Sequence, residues 1–268
     1  MHLLRKISLK IKYICLHNKY GRILAIFTVI LTIFNFSLFN LIPVKNVFAI
    51  NSFKNIKIGL SLGLSNTTGT IPSISLNTRN YIKYIDKKSK WRHVFRFNYT
   101  YIEAYSELSY LRLVLQEYSK YKFNNWLYFF GKERYDRNIS TGFEYVINEN
   151  IGAGVKYKIS DNSNIFLELG PGLRQEKIID GQYYGSFSSI FDAKYYYKIN
   201  KNLKFKEKLT AYIANKGGDS YSSFSELSTR IERNLYLVLE YEIDYQTITT
   251  YGFKPFNTIS SANIKVKF

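Results

Sequence analysis

Charged side chains at every second position are the first feature of this sequence that could do chemistry. They are Lys204, Lys206, Lys208, Arg230, Glu240, Glu242 and Asp244. Neighbouring carboxylates are the groups of general acid and base catalysis in glycosidases and aspartic-type dyads. A spacing of two also places side chains on one face of a strand, where opposite charges pair across strands. We favour such a ladder of pairs over catalysis, and around an open lumen the same charges would set ion preference.

Residues for nucleophilic or metal chemistry are scarce. The only histidine after residue 49 is His93, and by alternation it shares a face with Trp91, Phe95 and Phe97. A catalytic serine needs an imidazole beside it that a third group orients, so we interpret His93 as an interfacial side chain. The only cysteine, Cys15, lies in the N-terminal segment. No phosphate loop, zinc motif or calcium loop is present, and the sequence predicts no catalytic residue, cofactor or metal site and no enzyme.

The first 49 residues have the pattern of a secretory signal. Six basic residues precede an apolar run over 23–42, and Pro43 and the sequence Val47-Phe48-Ala49 follow. A basic start, an apolar core and small residues before the cut describe a cleavable signal peptide. The alternative is an uncleaved anchor, because about 20 apolar residues also span a bilayer. We expect cleavage after Ala49, with one barrel domain over 50–268.

The composition favours strands and gives weak support for a polyanionic partner. Tyr contributes 25 residues and Phe 20, whereas Met and Cys contribute one each. The formal charge is +18, but residues 1–49 hold seven of the 38 basic residues and no acid. The remaining excess also fits a genome rich in Lys, Asn, Ile and Tyr codons. We therefore expect no nucleic acid partner.

Alternation by two recurs after residue 50 and predicts twelve strands. From Leu235 to Tyr245 one face is apolar or aromatic and the other is polar, as expected between lipid and a polar lumen. The predicted strands are 54–65, 71–85, 90–105, 108–122, 125–137, 142–158, 163–176, 184–199, 202–214, 221–233, 235–247 and 256–268. The sequence thus predicts an all-β fold, a transmembrane antiparallel up-and-down barrel, with ten or fourteen strands as alternatives that also keep both termini on one side.

The connections predict the orientation of this barrel. Tight Asn- or Asp-centred turns follow the even-numbered strands, and longer polar connections follow several odd-numbered ones. Outer-membrane barrels have short periplasmic turns and longer outer loops. Trp91 and Trp126 each follow a tight turn, which predicts that both lie in the periplasmic aromatic girdle.

The last strand ends the chain on an aromatic residue. Its apolar face contains Ile264, Val266 and Phe268. An alternating final strand with a terminal aromatic residue resembles the signal that the outer-membrane assembly machinery recognises. We therefore expect that machinery, together with outer-membrane lipids, as partners.

Four segments resemble the DUF481 family of outer-membrane proteins, which includes members induced by salt stress. They are Lys90–His93, Trp126–Asp136, Ile151–Tyr157 and Leu167–Arg174. The resemblance covers about residues 55 to 268 in order, and its most specific part is the Leu-Glu-Leu-Gly-Pro-Gly segment. Near the start the family often has Gly-Asn-Thr, whereas this chain has Ser65-Asn66-Thr67. The resemblance implies an outer-membrane barrel and no established reaction.

These observations predict a monomeric barrel in the outer membrane with a structural or envelope-stress role and a charged, largely filled lumen. A narrow, anion-leaning channel for ions or small solutes is the main alternative, because Lys and Arg outnumber Asp and Glu. An outer-membrane enzyme is the third, and it would need a catalytic cluster that the sequence does not show.

Overall fold

The computed structural model describes residues 55–68, 73–86, 88, 90–104, 107–138, 141–249 and 254–268. The proposed signal peptide lies outside these residues. Twelve strands follow one another along the chain. They are β1 (Ile56–Thr68), β2 (Ser73–Ile85), β3 (Trp91–Ala104), β4 (Glu107–Lys122), β5 (Leu127–Asn138), β6 (Phe143–Lys158), β7 (Ser163–Ile178), β8 (Tyr183–Lys198), β9 (Leu203–Ala214), β10 (Ser220–Arg230), β11 (Leu235–Gln246) and β12 (Phe256–Lys267).

The strands form one closed antiparallel barrel in which every strand pairs with its sequence neighbours. β1 closes the barrel on β12, with Leu62 opposite Ile264, and the backbones of Ile58 and Phe268 exchange two hydrogen bonds. The predicted fold and strand count are confirmed, and each predicted boundary lies within three residues of the observed one. Closure leaves no sheet edge exposed, which a spanning sheet in lipid requires.

Each strand separates an outward apolar face from an inward polar face, because successive side chains point to opposite sides. On β11, Leu239 and Tyr241 face outward and are exposed, whereas Glu240 and Glu242 face the lumen and are buried. The same division holds for most positions around the barrel, so exposed large apolar residues cover its outside. An apolar cluster also lies on the inward face; it comprises Val94, Tyr118, Phe130, Ile190 and Tyr212. In the described part of the chain no helix is long and apolar enough to cross a membrane.

The turns after the even-numbered strands are short, as predicted. They span 86–90, 123–126, 159–162, 199–202 and 231–234. Asn124 and Asn200 each accept hydrogen bonds from two following backbone N–H groups, the usual way in which Asn stabilises a tight turn. We call this side of the barrel the tight-turn end.

The predicted difference in loop length is wrong for most connections. The connections after β5 and β7 span only 139–142 and 179–182, and only that between β11 and β12, 247–255, is long. Polar residues at the end of β5 do not interrupt the strand, because Asp136 faces the lumen and pairs with arginines there.

Glycines on the inward faces of β6 and β7 let these two strands approach closely. A Cβ on Gly152 would clash with the backbone of Leu169 and Gly170, and one on Gly170 would clash with Ile151 and Gly152. By contrast, a Cβ on the outward Gly131 would meet nothing within 4 Å. Gly152 and Gly170 therefore permit a local packing of β6 on β7 that a larger residue would prevent.

Candidate functional site

Asp192 on β8 is the centre of one cluster in the lumen, and its side chain is fully buried. Lys132 Nζ lies 3.0 Å from Oδ2, Lys194 Nζ 3.5 Å from the same oxygen, and Lys208 Nζ 3.6 Å from Oδ1. The Thr210 hydroxyl donates to Oδ1 at 2.5 Å. One carboxylate thus pairs with three lysines from β5, β8 and β9, and both of its oxygens contact protein groups.

Glu168 on β7, the cross-strand partner of Asp192, extends this cluster to the neighbouring strand. Lys194 Nζ lies 2.6 Å from its Oε2, and the hydroxyls of Tyr118 and Tyr128 donate to Oε1 at 2.6 and 2.9 Å. Both tyrosines are buried. Lys194 therefore joins Asp192 and Glu168 in one network. Removing one partner from a buried network of this kind leaves another charge uncompensated, which is strongly destabilising.

A second cluster crosses the lumen from β4 to β11. Arg112 lies 3.0 Å from Asp136 Oδ2, 3.2 Å from Glu242 Oε1 and 2.6 Å from Asp244 Oδ2. Arg79 on β2 lies 2.9 Å from Glu240 and also pairs with Glu242. Since β2 and β4 are not neighbours of β11, these arginines connect opposite parts of the wall.

A third cluster lies toward the end of the barrel opposite the tight turns. Arg174 on β7 is 1% exposed and pairs with Glu176 on the same strand. Its guanidinium also donates to Asn148 Oδ1 at 3.2 Å and to Ser220 Oγ at 2.8 Å. Glu176 in turn accepts a hydrogen bond from the N–H of Gly218 at 3.3 Å. The connection between β9 and β10 is thereby fixed to the lumen.

The predicted lumen residues occupy the inward face, but their partners differ from a simple ladder between β9, β10 and β11. Glu240, Glu242 and Asp244 pair with Arg79 and Arg112. Lys206 lies 3.6 Å from Glu226, and Lys208 lies beside Asp192. Lys204 and Arg230 are exposed at the tight-turn end, where Arg230 donates to the carbonyl of Lys201 at 2.8 Å.

Sequence reasoning missed most of the residues that complete these clusters. They are Arg79, Arg112, Lys132, Arg134, Asp136, Glu168, Arg174, Glu176, Asp192, Lys194, Glu226 and Lys265. Alternation placed them on polar faces, and that signal was available for each strand. Which of them meet across the lumen depends on the barrel's closure, which alternation does not encode.

The predicted girdle residues lie at the tight-turn end. Trp91 is the first residue of β3 and faces outward, with its ring stacked on His93 at 5.7 Å between centroids. Trp126 is exposed and lies in the turn immediately before β5, because this strand begins at Leu127 and not at residue 125 as predicted. Ile264 and Phe268 of the predicted assembly signal are exposed on the outward face, and Val266 lies between them opposite Leu60.

The outward face also bears charges that a barrel does not require. Glu117, Glu133 and Glu149 lie directly opposite one another on β4, β5 and β6. Beside them, His93 lies on the outward face, as predicted, and its Nδ1 is 2.8 Å from Ser119 Oγ. Glu117 contacts the serine at 3.4 Å and not the imidazole, so the order of groups is not that of a catalytic triad. In the described residues no three metal-ligating side chains converge.

A family described as "Protein of unknown function, DUF481" matches residues 60–268. No curated protein matches the sequence.

Solved structures with a similar fold are outer-membrane channels. The NanC porin superposes with a TM-score of 0.56 at 10% identity, over 78% of this chain and 100% of that one. The COG4313 outer membrane channel from Pseudomonas putida F1 has a TM-score of 0.48 at 10% identity, over 80% and 96% of the two chains. The KdgM porin has a TM-score of 0.45 at 10% identity, over 78% and 99%. The chain is thus a membrane β-barrel protein with a porin-like fold.

Proposed function

The chain belongs to the DUF481 family, and we propose that this member is an outer-membrane barrel with a structural or envelope-stress role, whose lumen is largely filled by its own charged side chains. The observation that carries the proposal is the pair of arginines that cross the lumen. Arg79 and Arg112 reach the carboxylates of β11 from β2 and β4, and the side chain of Arg112 is only 7% exposed.

The clusters of paired charges support a filled lumen because they occupy different parts of its length. The pairs of Arg174 with Glu176 and of Arg112 with Asp244 lie toward the strand ends opposite the tight turns, and the cluster around Asp192 lies nearer the tight turns. A water-filled pore keeps its wall charges solvated, whereas these groups are buried among one another. Twelve strands enclose less space than the sixteen of a general porin, so fewer side chains are needed to fill it.

We further propose that the signal of residues 1–49 exports the chain, that the assembly machinery inserts it through β12, and that it acts as a monomer among outer-membrane lipids. The outward positions of Trp91, Ile264 and Phe268 support this orientation. Membrane fractionation combined with heat modifiability on a gel tests the location. We expect the protein in the outer-membrane fraction, with an unboiled band that migrates differently. Recovery in a soluble periplasmic fraction would contradict the proposal.

The structural role predicts a phenotype without a transport defect. We expect a deletion strain to be more sensitive to detergent and to osmotic shock, and expect plasmid-borne wild type to restore resistance. A deletion strain that retains full envelope integrity but loses uptake of one solute would favour a channel instead.

A narrow anion-leaning channel is the second candidate function, because inward cations at the tight-turn end outnumber carboxylates there. Lys83, Arg92, Arg96 and Lys120 all face the lumen at this end. Liposome swelling discriminates between the two functions. Swelling in small anionic solutes by wild-type protein, at a rate above that of empty liposomes, would support the channel. No swelling supports the filled barrel.

We propose no enzymatic activity for this barrel. The hydrogen-bonded pair of His93 and Ser119 is the strongest candidate for a nucleophilic site, and it lacks an acid on the imidazole. A lipid-ester hydrolysis assay on purified protein tests this directly. Hydrolysis that disappears in His93→Ala and in Ser119→Ala would overturn it.

A further inference from the structure

The tight-turn end of the lumen contains a group of inward cations that differs from the clusters deeper in the barrel. We call it the tight-turn mouth. Its members are Lys57, Lys83, Arg92, Arg96, Lys120, Lys156, Lys204 and Lys267. They come from seven of the twelve strands, and each occupies the inward-facing register position of its strand. The mouth is therefore a property of the lumen wall and not of a single strand.

These cations have no carboxylate partners of their own. Across the part of the chain that the structure describes, no ion pair joins a member of the mouth to an acid. The carboxylates whose fields act on Arg96, Lys120 and Lys267 are Asp192, Glu168 and Glu226, and each of them already pairs with at least one lysine outside the mouth. The mouth therefore has no carboxylate that belongs to it alone.

Like charges also face each other directly across neighbouring strands. Lys57 is the cross-strand partner of Lys83, and Arg92 is the partner of Lys120. Lys198, next to the mouth, is the partner of Lys204. Like charges in directly opposite positions destabilise a sheet. Closure of the barrel does not require such pairs, because an uncharged polar side chain can also occupy an inward position near solvent.

Several of these side chains rest on aromatic rings instead of carboxylates. Lys120 Nζ lies 3.1 Å from the centroid of the Tyr128 ring, and Lys267 Nζ lies 3.7 Å from that of Tyr236. Lys156 Nζ and Lys120 Nζ both approach the ring of Phe166. An aromatic face holds a cation in place but leaves its hydrogen-bond donors available.

Arg92 adds a donor without an acceptor. Its Nε is buried and has no hydrogen-bond partner among the described residues. Arg92 lies on β3, between β2, which carries Lys83, and β4, which carries Lys120. A guanidinium in this position presents a planar set of donors that matches phosphate and carboxylate oxygens.

We propose that the tight-turn mouth is a binding site for a soluble multivalent oxyanion, a molecule that carries several phosphate or carboxylate groups. Arg92, Arg96 and Lys120 form its centre, and Lys83 and Lys156 extend it on either side. Binding relieves the repulsion between Arg92 and Lys120. The site is independent of the proposed structural role, since it requires an accessible mouth and not a conducting lumen.

Isothermal titration calorimetry with sodium tripolyphosphate tests the site on the full chain, purified from membranes in neutral detergent at low ionic strength. We expect saturable binding that weakens as salt is added, because exposed charges are screened. The variant Arg96→Gln/Lys120→Gln should bind at least about tenfold more weakly for each charge-assisted bond that it loses. Tripolyphosphate should also raise the Tm of the wild type and not that of this variant.

The control is Lys88→Gln/Lys201→Gln, which removes the same charge at the same end of the barrel. Lys88 and Lys201 are exposed in turns outside the lumen, so this variant should bind as the wild type does. Heat modifiability verifies that each variant folds. Absence of binding by the wild type at low ionic strength would overturn the proposal. Equal loss of binding in both double variants would overturn it too, because it would show attraction to net charge without a site.

Discussion

Arg112 on β4 and Asp244 on β11 form an ion pair of 2.6 Å, although four strands separate them around the barrel wall. The same guanidinium contacts Asp136 on β5 and Glu242 on β11. A single side chain therefore contacts three carboxylates from two parts of the wall. Removing it leaves these charges buried without their common partner.

Arg112→Met should lower the free energy of unfolding by about 3 to 5 kcal/mol, the cost of leaving one side of a buried ion pair uncompensated. Urea titration of the barrel in lipid vesicles measures this change. Arg137→Met on β5, whose side chain faces outward by its register with Leu113, is the matched control and should change stability much less. Equal effects of both substitutions would show that the lumen network contributes nothing special to stability.

Asp192→Asn should destabilise the barrel by about 2 to 4 kcal/mol, because Lys132, Lys194 and Lys208 would then share a buried site without a negative charge. The control is Asp161→Asn in the turn after β6. There the 2.5 Å hydrogen bond from Lys158 lowers the pKa of the Asp161 carboxyl, but both groups are exposed. Unfolding experiments should find the turn variant close to wild type. A larger loss in the turn variant would be inconsistent with a charge network centred on Asp192.

Glu133→Leu should stabilise the barrel by about 1 to 2 kcal/mol, because a carboxylate facing lipid is unfavourable and this one has a like charge on each side. Glu117 and Glu149 are its direct cross-strand partners. Glu232→Leu, in an exposed turn, serves as the control and should not stabilise. Vesicle-based unfolding compares the two. Destabilisation by Glu133→Leu would mean that the three outward glutamates have a partner in the membrane.

Gly152→Ala should impair folding, because the added Cβ would clash with the backbone of Leu169 and Gly170 on the adjacent strand. Gly131→Ala adds the same methyl group where nothing lies within 4 Å, and it should fold as well as wild type or better. Folding yield from heat-modifiable gel bands measures both. Similar yields for the two variants would rule out close approach of β6 and β7 as the reason for this glycine.

The sequence predicted the barrel and its strand count because period two is a local property of each strand. Glu240 and Glu242 could be placed on an inward face from their spacing alone. Their partners Arg79 and Arg112 could not be identified, since pairs such as Arg112 and Asp244 arise from closure between distant strands. The connections after β5 and β7 were predicted to be long because they are polar, whereas in the structure they span only 139–142 and 179–182.

Single-channel conductance in planar bilayers tests the filled lumen most directly. The filled barrel predicts no conductance steps from the wild type, and discrete steps from Arg79→Ala/Arg112→Ala, in which the side chains that cross the lumen are removed. Lys216→Ala, an exposed position in the connection between β9 and β10, should stay silent. Stable conductance steps from the wild type itself, with amplitudes unchanged in the arginine variant, would contradict the account and would establish an open channel instead.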